Sequence, residues 1–265
     1  MYFLLQKENN EYTVDVKILK DILDNNRYLQ SYDSLSLEEL KTKDKHSFMK
    51  NFLKEAIPIG TIEFVNTWLN IYTQVTKQNP IEIPNCLRKE EFLKRKYSII
   101  TYDKIPNKGR YFLKDVSELK AFSYVGNLEN LMDTSREIDS SFELNANHLY
   151  QLSEEVDILS EYRVYIIRGE IQTIAHYNGD PCIFPDINLI QKANSIYSLR
   201  KDYPNSYTMD IMVTDRGTSI IELHTFLSTG LYTTLFGNNL VYAYRDGLDY
   251  IKNCNTEIKP IFFKK

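Results

Sequence analysis

Residues 207–224 read YTMDIMVTDRGTSIIELH, and this stretch decides the fold class. Two runs alternating apolar and polar residues flank Asp215-Arg216-Gly217. That triplet predicts a three-residue hairpin loop, with Gly217 in the left-handed position of a type I turn plus bulge. In that register Thr214 faces Thr218 and Asp210 faces Glu222. Like charges placed opposite one another destabilise a sheet. A divalent cation between them reverses the sign, and Mg²⁺ is typically held by one or two carboxylates plus substrate phosphates. His224, two residues past Glu222, shares the face, while Ile221 and Leu223 point into a core. A two-residue loop would separate the carboxylates, and a plain solvated face is the alternative reading.

Working outward, residues 162–167 and 171–177 form a second hairpin around Arg168-Gly169, and 98–101 and 110–113 read as strands. A helical pattern covers 240–251. Near the N-terminus, 2–6 reads as a strand, and 15–23 as a helix with Val16, Leu19, Ile22 and Leu23 on one face. The charged stretch 35–55 reads as helical or partly irregular, and 56–70 as a Pro-Ile-Gly turn followed by a helix. Residues 76–90 carry two prolines and little periodicity. They divide an N-terminal α/β segment, 1–85, from a larger domain, 86–265. Strands mixed with helices and tight hairpins predict an α+β fold.

Among the 265 residues, tyrosine appears 20 times and glycine only 9 times. So few glycines argue against a long glycine loop around a phosphate. The net charge of −4 makes nucleic acid an unlikely default partner. No apolar run is long enough to span a membrane, and the N-terminal run lacks the flanks of a signal peptide. Cys86, Cys182 and Cys254 form neither a zinc spacing nor a disulfide framework. They are expected reduced and buried, in a cytoplasmic protein.

Residues 152–163, LSEEVDILSEYR, place two acidic residues before a short apolar segment and a third, Glu161, at the start of a strand. Together with Asp210…Glu222-Leu223-His224, then Ser228-Thr229-Gly230-Leu231-Tyr232, and with Arg110-Tyr-Phe-Leu-Lys114 upstream, this resembles the ATP-grasp superfamily. The resemblance covers about residues 90–252 and is distributed rather than concentrated in one motif. It implies that Glu154, Glu155 and Val156 read the adenine edge and that Glu161 takes the ribose hydroxyls. Lys114, with Arg95 and Lys120, would contact phosphates as fixed cations. Asp210, Glu222 and His224 would hold Mg²⁺, and residues Ser228, Thr229 and Gly230 would form a substrate or phosphate loop.

The sequence departs from the family pattern at three places. His224 stands where the family usually has Asn; imidazole suits softer metals than Mg²⁺, so Mn²⁺ is a second candidate. The loop after Lys114 holds one glycine and a second lysine, Lys120. Thr208 stands where peptide-ligase relatives place an Arg, and Arg163 is the substitute candidate.

The implied chemistry is ATP-dependent ligation of a small-molecule or peptide carboxylate to an amine through an acyl phosphate. Arg163 and Lys114 would serve as the catalytic cations. The rival reading is a metal-dependent nuclease, since an acidic residue followed by E-x-K is a nuclease pattern that this chain matches in all but the lysine. A third is a nucleotide-binding protein on a degenerate site. A homodimer stays open.

Overall fold

The computed structural model describes residues 1–25, 31–42, 50–119, 122–129, 131 and 144–253. Lys120, His46 and Cys254 lie outside the described residues.

The N-terminal strand β1 (Tyr2–Gln6) lies between β2 (Ser31–Leu35) and β3 (Ile57–Ile59), parallel to both. Four helices surround this sheet: α1 (Val14–Asn25), α2 (Leu37–Thr42), α3 (Lys50–Glu55) and α4 (Ile62–Tyr72). The side chain of Thr61 caps α4 by accepting from the Phe64 amide, satisfying one of the helix's orphan donors. Trp68 is fully buried, and its indole N–H donates to the Leu53 carbonyl at 2.8 Å, as a buried indole requires.

A short helix α5 (Glu90–Leu93) leads into a four-stranded antiparallel sheet ordered β4 (Tyr97–Thr101), β7 (Leu149–Glu154), β5 (Arg110–Asp115) and β6 (Ser123–Asn127). Residues 155–159 then cross to a second four-stranded antiparallel sheet. Its order is β11 (Gly217–His224), β10 (Ser206–Thr214), β8 (Ser160–Ile167) and β9 (Glu170–Gly179). Helix α6 (Ile187–Ser198) connects β9 to β10, and α7 (Asn239–Asn253) ends the described chain.

Every residue of β10 is buried, because both faces of the second sheet are covered. Tyr207, Met209, Ile211 and Val213 enter one core with Ile190, Ala193 and Tyr197 of α6. Asp186 caps α6, and its own amide donates to the Thr218 hydroxyl on β11 at 2.7 Å. On the opposite face, Tyr165 and Ile167 enter another core with the N-terminal sheet and α7. Only the middle of that face, carrying Arg163, Asp210, Glu222 and His224, is left for polar work.

The boundary at 76–90 does not separate two independent cores. Phe3, Leu4 and Trp68 share one core with Leu240, Val241 and Leu248 of α7, so the chain's last helix completes the N-terminal unit. The same segment bridges to β11 through the Ile81–Leu223 pair. The cysteines differ from expectation, because Cys182 is exposed and Cys86 half-buried.

Candidate functional site

The β10–β11 hairpin differs from its predicted form. It closes on two residues, Asp215 and Arg216, and Thr214 pairs with Gly217, not with Thr218. Gly217 does adopt the left-handed backbone, with φ of 93°. That shorter loop alone would shift the carboxylates apart by one residue. A β-bulge restores them: Ile211 pairs with Ile220, the next pair is Asp210 with Glu222, and Ile221 is the extra residue. Ile220, rather than Ile221, therefore accompanies Leu223 into the core.

One ligand atom each from Asp210, Glu222 and His224 lies within 4.8 Å of the others. His224 Nε2 is 2.9 Å from Glu222 Oε1 and 3.9 Å from Asp210 Oδ2. Lys114, reaching from β5 in the other sheet, donates to the second oxygen of Glu222. Burial pushes the Glu222 carboxyl up, but the His224 imidazole and the Lys114 ammonium outweigh burial and hold it well below the usual carboxylate range. The donor set fits a divalent cation: two carboxylates and an imidazole converge, and one carboxylate already draws a cation from across the cleft. An imidazole in the set favours Mn²⁺ alongside Mg²⁺.

Arg163 faces Asp210 directly on β8. Its Nε and Nη2 donate to the two carboxylate oxygens, each at 2.7 Å, and Nη1 donates to the Gly230 carbonyl at 2.9 Å. Tyr232 and Tyr177 flank the guanidinium, with ring centroids 5.0 and 5.7 Å away. Three of its five N–H groups are thus engaged. Expected as a free catalytic cation, Arg163 instead orients Asp210 and pins the loop after β11, although it still lines the cavity described below.

In that loop Ser228 is left-handed, with φ of 57°, and its hydroxyl accepts from Gln78 at 3.2 Å. Thr229 donates to the Thr225 carbonyl. The Gly230 carbonyl also accepts from Tyr165 at 3.1 Å, and burial pushes the Tyr165 hydroxyl up to about 12.

The residues assigned to the base and ribose have other partners. Glu155 is paired with Arg110 through two hydrogen bonds, at 2.6 and 3.0 Å. Glu154 is paired with Arg216 at 2.8 and 2.9 Å. Their side chains are therefore occupied, which leaves the backbone of 154–156 for a base edge; Val156 is half-buried there. Glu161 accepts from the Tyr177 hydroxyl at 2.9 Å and from the Asn178 amide. Arg95, expected on a phosphate, is buried against backbone carbonyls.

The Arg216–Glu154 pair joins the tip of one sheet to the end of the other. Hydrogen bonds from Arg216, then from the Lys96 backbone, hold the Glu154 carboxyl at about 2, against its ordinary 4.5. A carboxyl lowered on folding stabilises the protein above its ordinary value and loses that contribution as pH falls towards its folded value. Both partners are solvent-exposed, so Arg216→Ala should destabilise the chain only slightly at neutral pH. In urea denaturation the difference from the parent chain should shrink as pH falls from 4.5 towards 2. A pH-independent difference would mean that the ion pair is not its source.

A cavity of about 650 Å³ opens beside Lys114, Glu222, His224 and Gly230, and reaches Asp15 and Gly60 of the N-terminal unit. Asp15 accepts from the Leu231 amide at 2.7 Å. Asp15, Gln78, Tyr165 and Tyr232 were not recognised in the sequence; each acts through a partner far away in the chain, and no local pattern marks them.

Two antiparallel sheets, one presenting a lysine to a carboxylate pair on the other, are the architecture of the ATP-grasp superfamily, and the chain belongs to it. More narrowly, residues 92–239, over half of the chain, match the model of an ATP-grasp domain family, the second family of its clade. No curated protein matches the chain in sequence. Among solved structures, D-alanine--D-alanine ligase from Bacillus anthracis is similar in fold. It is 15% identical with a TM-score of 0.51, over 94% of this chain and 95% of that one. D-cycloserine synthetase DcsG is 9% identical with a TM-score of 0.51, over 94% and 100%. D-alanyl-alanine synthetase A from Vibrio cholerae O1 is 10% identical with a TM-score of 0.50, over 96% and 99%. Among the described residues no helix is long and apolar enough to cross a membrane.

Proposed function

We propose that the protein is an ATP-dependent ligase that joins a carboxylate to an amine through an acyl phosphate. The observation that carries this reading is the meeting of Lys114 with the Asp210–Glu222–His224 cluster at the mouth of the 650 Å³ cavity. That volume lies within the usual range for small-molecule sites, about 300–1,000 Å³. The carboxylate oxygen attacks the γ-phosphorus and ADP leaves; the amine then attacks the acyl carbon and phosphate leaves.

Lys114 would move from Glu222 to the transferring phosphate as a fixed cation. Asp210, Glu222 and His224 would hold a divalent cation, Mg²⁺ or Mn²⁺, which neutralises phosphate charge. Arg163 keeps Asp210 aimed and the 228–232 loop against the cavity. Ser228, Thr229 and Gly230 line the cavity and would face the substrate. Membership of the ATP-grasp superfamily supports this reading over a nuclease. A homodimer is compatible with it but not required.

A thermal-shift titration with ATP and Mg²⁺ tests nucleotide binding. A ligand at 100 times its Kd adds about 2.7 kcal/mol, which for a chain of this size raises Tm by roughly 5–10 °C. ADP release on adding mixtures of carboxylates and amines then tests ligation. No shift with any nucleotide overturns the reading; binding without turnover in any mixture favours a degenerate site.

A further inference from the structure

Arg95 is 7% exposed, yet it neither lines the cavity nor reaches a carboxylate among its described hydrogen bonds. Removing a guanidinium from water costs several kcal/mol, and burial lowers its pKa to about 10. Its Nη1 donates to the Ile220 carbonyl at 2.8 Å and to the Leu93 carbonyl at 3.0 Å, and Nη2 reaches the Ile221 carbonyl at 3.5 Å. Ile220 and Ile221 are the residues of the β11 bulge, and Glu222 follows directly. Bulges interrupt a ladder and leave backbone groups in need of partners. Arg95 supplies donors at that place, and the chain delivers it there. Helix α5 ends at Lys94, whose backbone is left-handed with φ of 47°, while Phe92 and Leu93 anchor the helix in the core that holds Ile220 and Leu223.

We propose that Arg95 is a positioning residue: by holding the β11 bulge from behind, it sets Glu222 opposite Asp210 and so forms the cation site. This rests on the proposed function, in which that site carries the metal of the nucleotide complex. Arg95 touches neither phosphate nor metal. Its role is geometric, because only a planar fork can reach two successive carbonyls at once.

The test is Arg95→Lys, which keeps the charge but reaches one carbonyl at a time. Mn²⁺ is the probe, titrated into protein with ATP and followed by its paramagnetic resonance signal. Residues that only orient metal ligands typically change affinity 10–100-fold, so Mn²⁺ should bind about 10-fold more weakly, while Kd for metal-free ATP changes less than about twofold. A fall in Tm with unchanged Mn²⁺ affinity would mean a merely structural role. A weakened Kd for metal-free ATP would mean a phosphate contact. Either result overturns the proposal.

A second variant deletes Ile221. This joins Ile220 directly to Glu222, leaves Ile211–Ile220 and Asp210–Glu222 as successive pairs, and removes the bulge. In that background Arg95→Lys should no longer weaken Mn²⁺ binding. An equal loss with and without Ile221 would overturn the link to the bulge. If the parent chain binds neither ATP nor Mn²⁺, the functional reading fails instead, so the two failures are distinguishable.

Discussion

Glu222→Gln is expected to stop metal-dependent ATP turnover. The carboxylate sits between Lys114 and His224, with Asp210 on the neighbouring strand. Glutamine keeps the shape but removes the negative charge, leaving Lys114, His224 and Arg163 around a single carboxylate. A divalent cation added to that arrangement meets net repulsion. Residues that only orient a ligand lose about 10–100-fold, so a direct ligand should lose more than about 100-fold, read as single-turnover ADP formation at saturating Mg²⁺. Turnover within about threefold of the parent chain would move the site elsewhere. The acid dependence provides an independent check. The Glu222 carboxyl is held below its ordinary range, so its stabilising contribution is present above that range and is lost as pH falls. In Glu222→Gln that part of the acid sensitivity should be missing.

Arg163→Met is expected to produce the largest loss of stability. Arg163 and Asp210 form a bidentate pair in which both are nearly inaccessible, 8% and 2% exposed. Removing one partner of a buried pair typically costs about 3–5 kcal/mol, because the other charge is left unpaired. At roughly 2–4 °C per kcal/mol for a chain near this size, Tm should fall by about 10 °C. The Gly230 carbonyl also loses a donor, so the 228–232 loop should become more open to proteolysis. Arg163→Met with Asp210→Leu should regain much of the stability, since an apolar replacement of both charges is often near neutral. Its ATP turnover should stay absent. A Tm change below about 2 °C in the single variant would mean that the pair is far more hydrated than its burial implies.

Much of the fold could be read from local pattern. The strands at 2–6, 98–101, 110–113 and 162–177, the final hairpin and the helix at 240–251 all have counterparts. In each, alternation or helical spacing reflects the face that must be buried. Strands β6 and β7 and helix α6 were not predicted. LYQLSE of β7 has only weak alternation, and the apolar residues of α6 are diluted by Asn, Gln and Ser. The charged segment 35–55 yields two short helices with 43–49 outside the described residues.

The site was legible as a face but not as a set of partnerships. Asp210, Glu222 and His224 share a face by strand alternation alone. Their register was right for another reason than the one predicted, since a bulge at Ile221 compensates for a shorter loop. Glu154 and Arg95 could be seen as charged residues in a suggestive place, yet Arg216 and the bulge carbonyls take them up. The tyrosine excess has a partial account here, because Tyr165, Tyr177 and Tyr232 pack around the Arg163 corner.

By itself, then, the sequence determined the α+β class, the hairpin and the face that carries the acidic residues. Those features follow from side-chain period and turn chemistry, which act over a few residues. Tertiary structure alone decided that Lys114 meets Glu222, that Arg163 clasps Asp210 and that Arg95 serves the backbone. With 32 cationic and 36 anionic side chains in the chain, many pairings are available. Which of them form depends on Å-scale distances and on the exclusion of water, and those exist only once the sheets have packed against each other.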